Sequence, residues 1–251
     1  MKGFSLVELL LTVTLTGLVA GALFGLLRGQ ERLARTQADG VAAAEALRLA
    51  AFVLAGELRL LQPDEDIALI ASESAAVRVL RGLALVCGAN GAGILVRYRG
   101  VRTPEPAKDS VLLLRADSAA RPLPLVSASP APAACAAEPG EHVELWTLGA
   151  GAFPPAGSAA LLFENGTYAL TGGALRYRRG EGGRQPLTVE WLDDGASGFQ
   201  ALDPAGDPTA DPARAAAVVV RATAEVPGSE RRYSARLFLA LLNGAAHRGR
   251  P

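Results

Sequence analysis

Histidine, cysteine and lysine are scarce in this chain of 251 residues, which has two of each. With so few imidazole and thiol side chains, the chain offers few residues for a histidine-based catalytic set or a zinc site. The patterns G-x-S-x-G, H-E-x-x-H and C-x-x-C and the P-loop are absent from the sequence. We therefore expect no catalytic residue, no metal site, no cofactor and no enzymatic activity.

A charge excess of either sign is also missing, because 25 basic residues balance 25 acidic ones. A dominant nucleic-acid surface needs a basic excess, so the composition argues against one. Half of the residues are hydrophobic but only 5% are aromatic. A packed core must therefore be built mainly from alanine, leucine and valine.

The two cysteines, Cys87 and Cys135, fit no zinc-binding spacing. If the main domain lies outside the cytoplasm, a disulfide between them is the expected use. In the chain-entropy treatment that bond would stabilise the fold by about 4 kcal/mol. Two separate buried thiols are the alternative.

The longest apolar run lies near the N-terminus, where no charged residue occurs from Leu9 to Leu27. With residues 4–8 in front, a helix would extend roughly 36 Å, enough to cross a hydrocarbon core of about 30 Å. Glu8 is the one acid at its start, and Ser5 and Glu8 have the spacing of an S-x-x-E capping box. An ordinary secretory signal fits poorly, because the basic leader is a single lysine and no small-residue cleavage site follows.

The stretch from Lys2 to Glu8, KGFSLVE, resembles the processing motif of type IV pilins and type II secretion pseudopilins, the class III signal peptide. The motif consists of a short basic leader ending in glycine, then phenylalanine, an acid at the fifth mature position, and about twenty apolar residues. The resemblance implies that residues 1–3 are a leader. A prepilin peptidase would cut between Gly3 and Phe4, and the new amine of Phe4 would be methylated.

The same resemblance implies a role for Glu8, which would pair with the Phe4 amine of a neighbouring subunit. Each charge alone is costly in an apolar filament core, so pairing them favours one axial register. The implied topology is a single-pass inner-membrane helix over residues 4–27, with the leader cytoplasmic and the head periplasmic. The chain would later enter a pilus or pseudopilus. Its implied partners are the prepilin peptidase, other pilin or pseudopilin subunits and the inner membrane.

Four glycines recur at a strict four-residue spacing in and after the apolar run: Gly17, Gly21, Gly25 and Gly29. On a helix they form one face without side chains, and such faces allow close helix packing in membranes. The alternative is that the glycines only soften the helix, since glycine is a poor helix former.

Residues 28–62 continue the helical pattern in amphipathic form, with Glu31 and Arg35 as an i,i+4 pair. Pro63 is expected to end the helix, and Gly40 is a candidate weak point. The expected core-facing residues are Leu33, Val41, Ala44, Leu47, Ala51, Leu54, Leu58 and Leu61.

Residues 63–251 change to short β-type runs between turn residues, which predicts an antiparallel β-rich head ending in a disordered tail over residues 247–251. Asn165-Gly166 indicates a hairpin turn, and the composition of Arg121–Pro139 is typical of a surface loop. The expected fold is therefore α+β, a long N-terminal helix packed on an antiparallel sheet. The predicted strands are Ala76–Leu80, Ile94–Arg99, Val111–Arg115, Val143–Leu148, Ala160–Glu164, Tyr168–Thr171, Ala174–Arg178, Leu187–Leu192, Ala217–Glu225 and Tyr233–Leu242.

The C-terminal part, from Leu187 to Asn243, looks like the end of larger minor pilins of the PilW-like type and of pseudopilin J. The expected function is therefore a minor pilin or pseudopilin, within or at the tip of a filament, that initiates or supports assembly. The alternative is a pilin-anchored protein whose head binds DNA or serves in adhesion.

Two head segments are candidate ligand sites, each with a plainer interpretation. Arg176, Arg178, Arg179 and Arg184 with Tyr177 form a basic cluster suited to DNA, or merely a charged strand edge that blocks aggregation. Asp203, Asp207 and Asp211 could offer carboxylates to calcium, but three prolines make the segment an ordinary rigid loop. His142 is expected to be a surface residue at the start of a strand.

Overall fold

The chain is described here from a computed structural model that covers residues 5–59, 61–91, 93–106, 108–114, 122–132, 135–149, 154–226 and 231–241. The α+β class is confirmed, because a long N-terminal helix precedes a domain of antiparallel strands. Gly3, Phe4 and the C-terminal tail from residue 242 lie outside the described residues.

The long helix, α1, runs from Leu6 to Leu58, about 80 Å at 1.5 Å per residue. It ends four residues before the predicted boundary at Gln62. Pro63 instead begins a short helix, α2, over Pro63–Asp66. Gln62 is extended, as residues before proline prefer, and proline suits the first turn of a new helix. The predicted capping box is not formed, because the side chain of Ser5 makes no capping hydrogen bond.

The described part of the chain has twelve strands, and every pairing between them is antiparallel. They are β1 Ile67–Ile70, β2 Ser74–Asn90, β3 Gly93–Gly100, β4 Asp109–Leu113, β5 Pro122–Pro130, β6 His142–Leu148, β7 Ala159–Thr171, β8 Ala174–Arg179, β9 Arg184–Pro186, β10 Gly198–Leu202, β11 Ala217–Glu225 and β12 Arg232–Ala240. Sequence patterns missed β1, β5, β9 and β10 and predicted only a short part of β2.

Strands β2, β3, β6, β5, β4 and β7 close into a barrel, because β2 pairs with both β3 and β7. The interior is filled by side chains of these strands, including the fully buried Trp146, Tyr98, Leu125 and Leu162. The rings of Tyr98 and Trp146 lie 5.4 Å apart between centroids. The barrel is therefore a packed core.

A second core lies where the C-terminal half of α1 packs on the sheet of β10, β11 and β12 and on the outer parts of β2, β7 and β8. Of the predicted core-facing residues, Leu33 and Val41 are wrong, with 60% and 58% of their surface exposed. The head begins to cover α1 only near Gly40, where a Cβ would lie 2.8 Å from the Tyr233 hydroxyl. The buried positions of α1 are Ala43, Ala46, Leu47, Ala50, Leu54 and Leu58.

The predicted hairpin at Asn165-Gly166 is wrong, because both residues lie inside the continuous strand β7. Gly166 faces Tyr177, and a Cβ on it would clash with that ring. The close approach of the two strands therefore requires glycine at this position. The chain reverses instead at Gly172 and Gly173, whose φ angles of +60° and +74° are those that glycine tolerates.

Two further segments differ from the sequence prediction. About half of the expected loop Arg121–Pro139 is strand β5, which carries a register shift between Leu125 and Ser127 and pairs with β4 and β6. Pro122 is the first residue of β5, a position at which proline is tolerated in a sheet. The expected strand Leu187–Leu192 is irregular apart from one bridge between Leu192 and Ala224.

Candidate functional site: the exposed half of the long helix

The first half of α1 projects from the head with its apolar side chains uncovered. Between Leu6 and Leu27 the large hydrophobic residues are 52% to 75% exposed. By length and composition this part of α1 is able to cross a membrane, and none of the window that meets this test is buried. Monomeric soluble proteins rarely expose so large a contiguous apolar surface, so this half of α1 is suited to an apolar environment outside the chain.

Glu8 lies in the first turn of α1, and its carboxylate is exposed. Among the residues that the structure describes, it forms neither an ion pair nor a side-chain hydrogen bond. Gly3 and Phe4, the other two residues of the predicted processing and pairing scheme, lie outside the described residues. The carboxylate is therefore available to a group from another molecule.

Gly17, Gly21, Gly25 and Gly29 leave an open face on the same half of α1. A Cβ placed on any of the four would meet no described atom within 4 Å outside the helix's own backbone. Three threonines nearby satisfy their own hydroxyls, since Thr12, Thr14 and Thr16 each hydrogen-bond to a carbonyl one turn back. Self-satisfied hydroxyls of this kind suit surroundings without water.

Arginines mark the end of the apolar half. The guanidinium of Arg28 lies 4.4 Å from the centroid of the Phe24 ring. The predicted i,i+4 pair is confirmed, since Arg35 contacts Glu31 at 2.5 Å. A charged part of α1 therefore begins at Arg28 and separates the apolar half of the helix from the head.

A buried ionic network joins α1 to the barrel, and sequence patterns did not predict it. Its centre is Glu164 of β7, only 3% of whose side chain is exposed. Arg81 of β2 and Arg102 of the β3–β4 connection each contact this carboxylate at 2.6 Å. Tyr177 of β8 donates its hydroxyl to the same carboxylate at 2.5 Å, and Arg179 also pairs with it.

The network extends in two directions from Glu164. Arg81 donates to Glu57 of α1 at 2.9 Å, which ties the helix to the barrel. Arg102 forms a two-point contact with Asp109, at 2.8 and 2.5 Å. Because each guanidinium faces carboxylates, the cluster is balanced in charge and orders the junction between the two cores.

The pKa of Glu164 reflects these partners. Burial acts to raise this pKa, but the hydrogen bonds from Tyr177 and Arg81 together with the charge of Arg81 hold it below its ordinary value. Burial and the hydrogen bond to Glu164 raise the pKa of the Tyr177 hydroxyl, which stays protonated as a donor. At neutral pH the group therefore contains an ionised Glu164 and a neutral Tyr177.

Most arginines of the predicted basic cluster on β8 and β9 are paired with carboxylates. Arg176 pairs with Glu190, Arg178 approaches Glu181 at 3.8 Å, and Arg179 belongs to the buried network. Tyr177 is half-buried and donates to Glu164, so its ring is not displayed for stacking on a base. Arg184 alone of the four arginines is exposed and without a described carboxylate partner.

Aspartates of the proline-rich loop hydrogen-bond to backbone N–H groups of the same loop. Asp203 accepts hydrogen bonds from the backbone of Ala205 and Asp207, and Asp211 accepts one from Ala213. Within the described ranges, no group of three or more His, Cys, Asp or Glu side chains could hold a metal ion. His142 begins β6 and is exposed.

Cys87 of β2 and Cys135 are joined in a disulfide, with their Cα atoms 6.4 Å apart. Arg97 and Arg99 of β3 hold the segment that follows Cys135, since they donate to the carbonyls of Ala136 and Pro139 at 3.3 and 2.8 Å. The bond therefore fastens the β5–β6 connection to the outside of the barrel.

Comparison with known proteins gives no relative. The chain matches no family model, and no curated protein or solved structure is significantly similar to it.

Proposed function

We propose that this chain is a pilin-like filament subunit, a minor pilin or type II secretion pseudopilin. In this account a prepilin peptidase removes residues 1–3, and the helix over residues 4–27 holds the chain in the inner membrane with the head in the periplasm. The subunit then enters a pilus or pseudopilus, in the filament or at its tip, where it initiates or supports assembly.

The main support for the proposal is the form of the long helix α1. A single helix, α1, is exposed and apolar over its first half and built into the core of the head from Ala43 to Leu58. A membrane anchor alone needs no rigid connection to a folded head. A filament does, because helices packed side by side along an axis must place their heads at fixed positions.

Glu8 fits this arrangement as the group that sets the register. It is the only charged residue of the described chain before Arg28, and it has no partner within the described residues. A lone carboxylate in an apolar environment costs about 2.5–3.5 kcal/mol at mid-membrane. An amine from a neighbouring subunit, at the N-terminus created after Gly3, would offset that cost only at one axial position.

The test is to substitute Glu8 with alanine and measure incorporation into filaments. We expect normal cleavage of the leader, normal membrane insertion and strongly reduced incorporation. Glu45→Ala is the matched control, because Glu45 is an exposed acid on the covered half of the same helix. Incorporation of Glu8→Ala at the level of Glu45→Ala would contradict the register role.

The alternative, a DNA-binding head on a pilin-like anchor, has less support. Three of the four arginines that suggested it face carboxylates, and Tyr177 is engaged with Glu164.

A further inference from the structure

The solvent face of the three-stranded sheet carries two arginines directly opposite each other. Arg221 of β11 is the cross-strand partner of Arg236 of β12, and both side chains are exposed. Neither guanidinium forms an ion pair or hydrogen bond with any residue that the structure describes. Like charges in directly opposite positions destabilise a sheet, so this pair works against folding.

Another charged pair on the same face of these two strands shows the ordinary arrangement. Glu225 of β11 lies opposite Arg232 of β12, and the two side chains form an ion pair. The unpaired arginines are therefore a local exception within one strand pair, four residues further along β12.

Two further features lie next to the arginine pair. Phe238, two residues after Arg236 on the same face of β12, is 61% exposed. β12 is also the last strand of its sheet and pairs only with β11 among the described residues. Such an edge presents unpaired backbone N–H and C=O groups, to which an extended segment can add as a further strand.

We propose that the surface formed by Arg221, Arg236 and Phe238, beside the free edge of β12, binds an extended acidic segment of a partner protein. The segment would add to the free edge of β12, place carboxylates against the guanidinium of Arg236, beside which Arg221 lies on β11, and cover the ring of Phe238. Arginine forms two-point contacts with carboxylates, and these would remove the repulsion between the two arginines. A docking strand therefore supplies the charges that the sheet lacks.

Nucleic acid fits this surface less well. Duplex binding rests on several phosphate contacts and a basic excess, whereas this chain has a net charge of zero. The two arginines lie side by side across two strands and not in a row along one strand, so they do not form a track for a run of phosphates.

The experiment uses the full chain in detergent micelles and two labelled peptides of about eight residues, a usual strand length. One alternates glutamate with valine and the other alternates lysine with valine. We expect the glutamate peptide to bind and to slow hydrogen exchange at the β12 amides, and the lysine peptide to do neither. Failure of the glutamate peptide to bind in preference to the lysine peptide overturns the proposal.

Variants locate the site. The double variant Arg221→Gln/Arg236→Gln should weaken binding of the glutamate peptide about tenfold or more. Arg184→Gln is the matched control, because Arg184 is also exposed and without a described partner but lies on β9, in the other sheet. An equal loss in both variants would mean non-specific attraction and would reject the site.

Two more measurements separate other interpretations. Arg236→Gln should raise the thermal midpoint of unfolding, because it removes the repulsion; a lower midpoint would make Arg236 a structural residue and would contradict the proposal. A DNA duplex of about 20 base pairs should bind more weakly than the glutamate peptide at physiological salt. Tighter binding of the duplex that is lost in the double variant would assign the surface to nucleic acid instead.

Discussion

Arg81 of β2 donates to both carboxylate oxygens of Glu57 in α1, at 2.9 and 3.2 Å. The side chain of Arg81 is only 12% exposed, and its other contacts reach Glu164 inside the junction. This contact fixes the long helix on the barrel by charge as well as by apolar packing. The orientation of the exposed apolar half of α1 relative to the head depends on that junction.

Removing Arg81 should be strongly destabilising. Arg81→Met leaves Glu164 and Glu57 without this cation, and breaking a buried ion pair from one side costs about 3–5 kcal/mol. Glu57→Gln, which keeps one acceptor, should cost less, about 1 kcal/mol. Urea unfolding of the full chain in detergent measures both. Arg184→Met is the surface control, and a loss for Arg81→Met no larger than for this control would contradict the network.

Acid should weaken the head through Glu164. Because its pKa is lower in the folded protein than in the unfolded chain, the ionised carboxylate stabilises the fold at pH values above about 4.3, the ordinary value for glutamate. That contribution is lost as the pH falls through the lowered pKa. The hydrogen bonds from Lys108 and Arg179 lower the pKa of Glu105 to about 2, so this residue acts in the same direction.

The measurement is the free energy of unfolding between pH 6 and pH 3, the range that spans the ordinary glutamate pKa of about 4.3. We expect it to fall on acidification, with a smaller fall in Glu164→Gln, which is already destabilised at neutral pH. An unchanged pH profile in Glu164→Gln would show that Glu164 is not part of the acid response.

The disulfide between Cys87 and Cys135 should stabilise the head by about 4 kcal/mol in the chain-entropy treatment. The two residues are 48 positions apart in the chain. The double variant Cys87→Ser/Cys135→Ser should therefore unfold at lower urea concentration. Its β5–β6 connection should also be cut faster by proteases, with the rest of the barrel protected. Two free thiols titrated in the oxidised native protein would contradict the pairing.

Gly21 separates two explanations for the glycine face of α1. Gly21→Leu places a large side chain where nothing lies within 4 Å in the chain itself, so the head should keep its stability. If another helix packs there, filament incorporation should fall. Gly56→Leu is the control, because Gly56 is equally open but lies in the half of α1 that the head covers.

Gly21→Ala decides whether softness matters. Alanine strengthens the helix by about 1 kcal/mol but adds only one methyl group. Incorporation retained in Gly21→Ala and lost in Gly21→Leu would support packing. Equal losses in both variants would favour softness of the helix, and normal incorporation in both would contradict the packing role.

The helix and the fold class were predictable from sequence, because their signals are local. Leu47, Leu54 and Leu58 recur at helical spacing, and the structure buries all three. The apolar run ahead of them is long enough to stand out from composition alone. Such patterns depend only on near neighbours in the chain.

Closure of the barrel and the ionic network were not predictable, because both depend on residues far apart in sequence. β2 pairs with β7 across more than seventy positions, and Glu164 meets arginines from three separate segments. The hairpin predicted at Asn165-Gly166 failed for a related reason. Gly166 is required by close contact with the ring of Tyr177, which lies on the neighbouring strand β8.

The most direct test of the proposed function is mass spectrometry of the mature N-terminus in the native membrane. We expect a chain that begins at Phe4 and carries one methyl group on its amine. An intact Met1, or a chain that begins near residue 30, would contradict it.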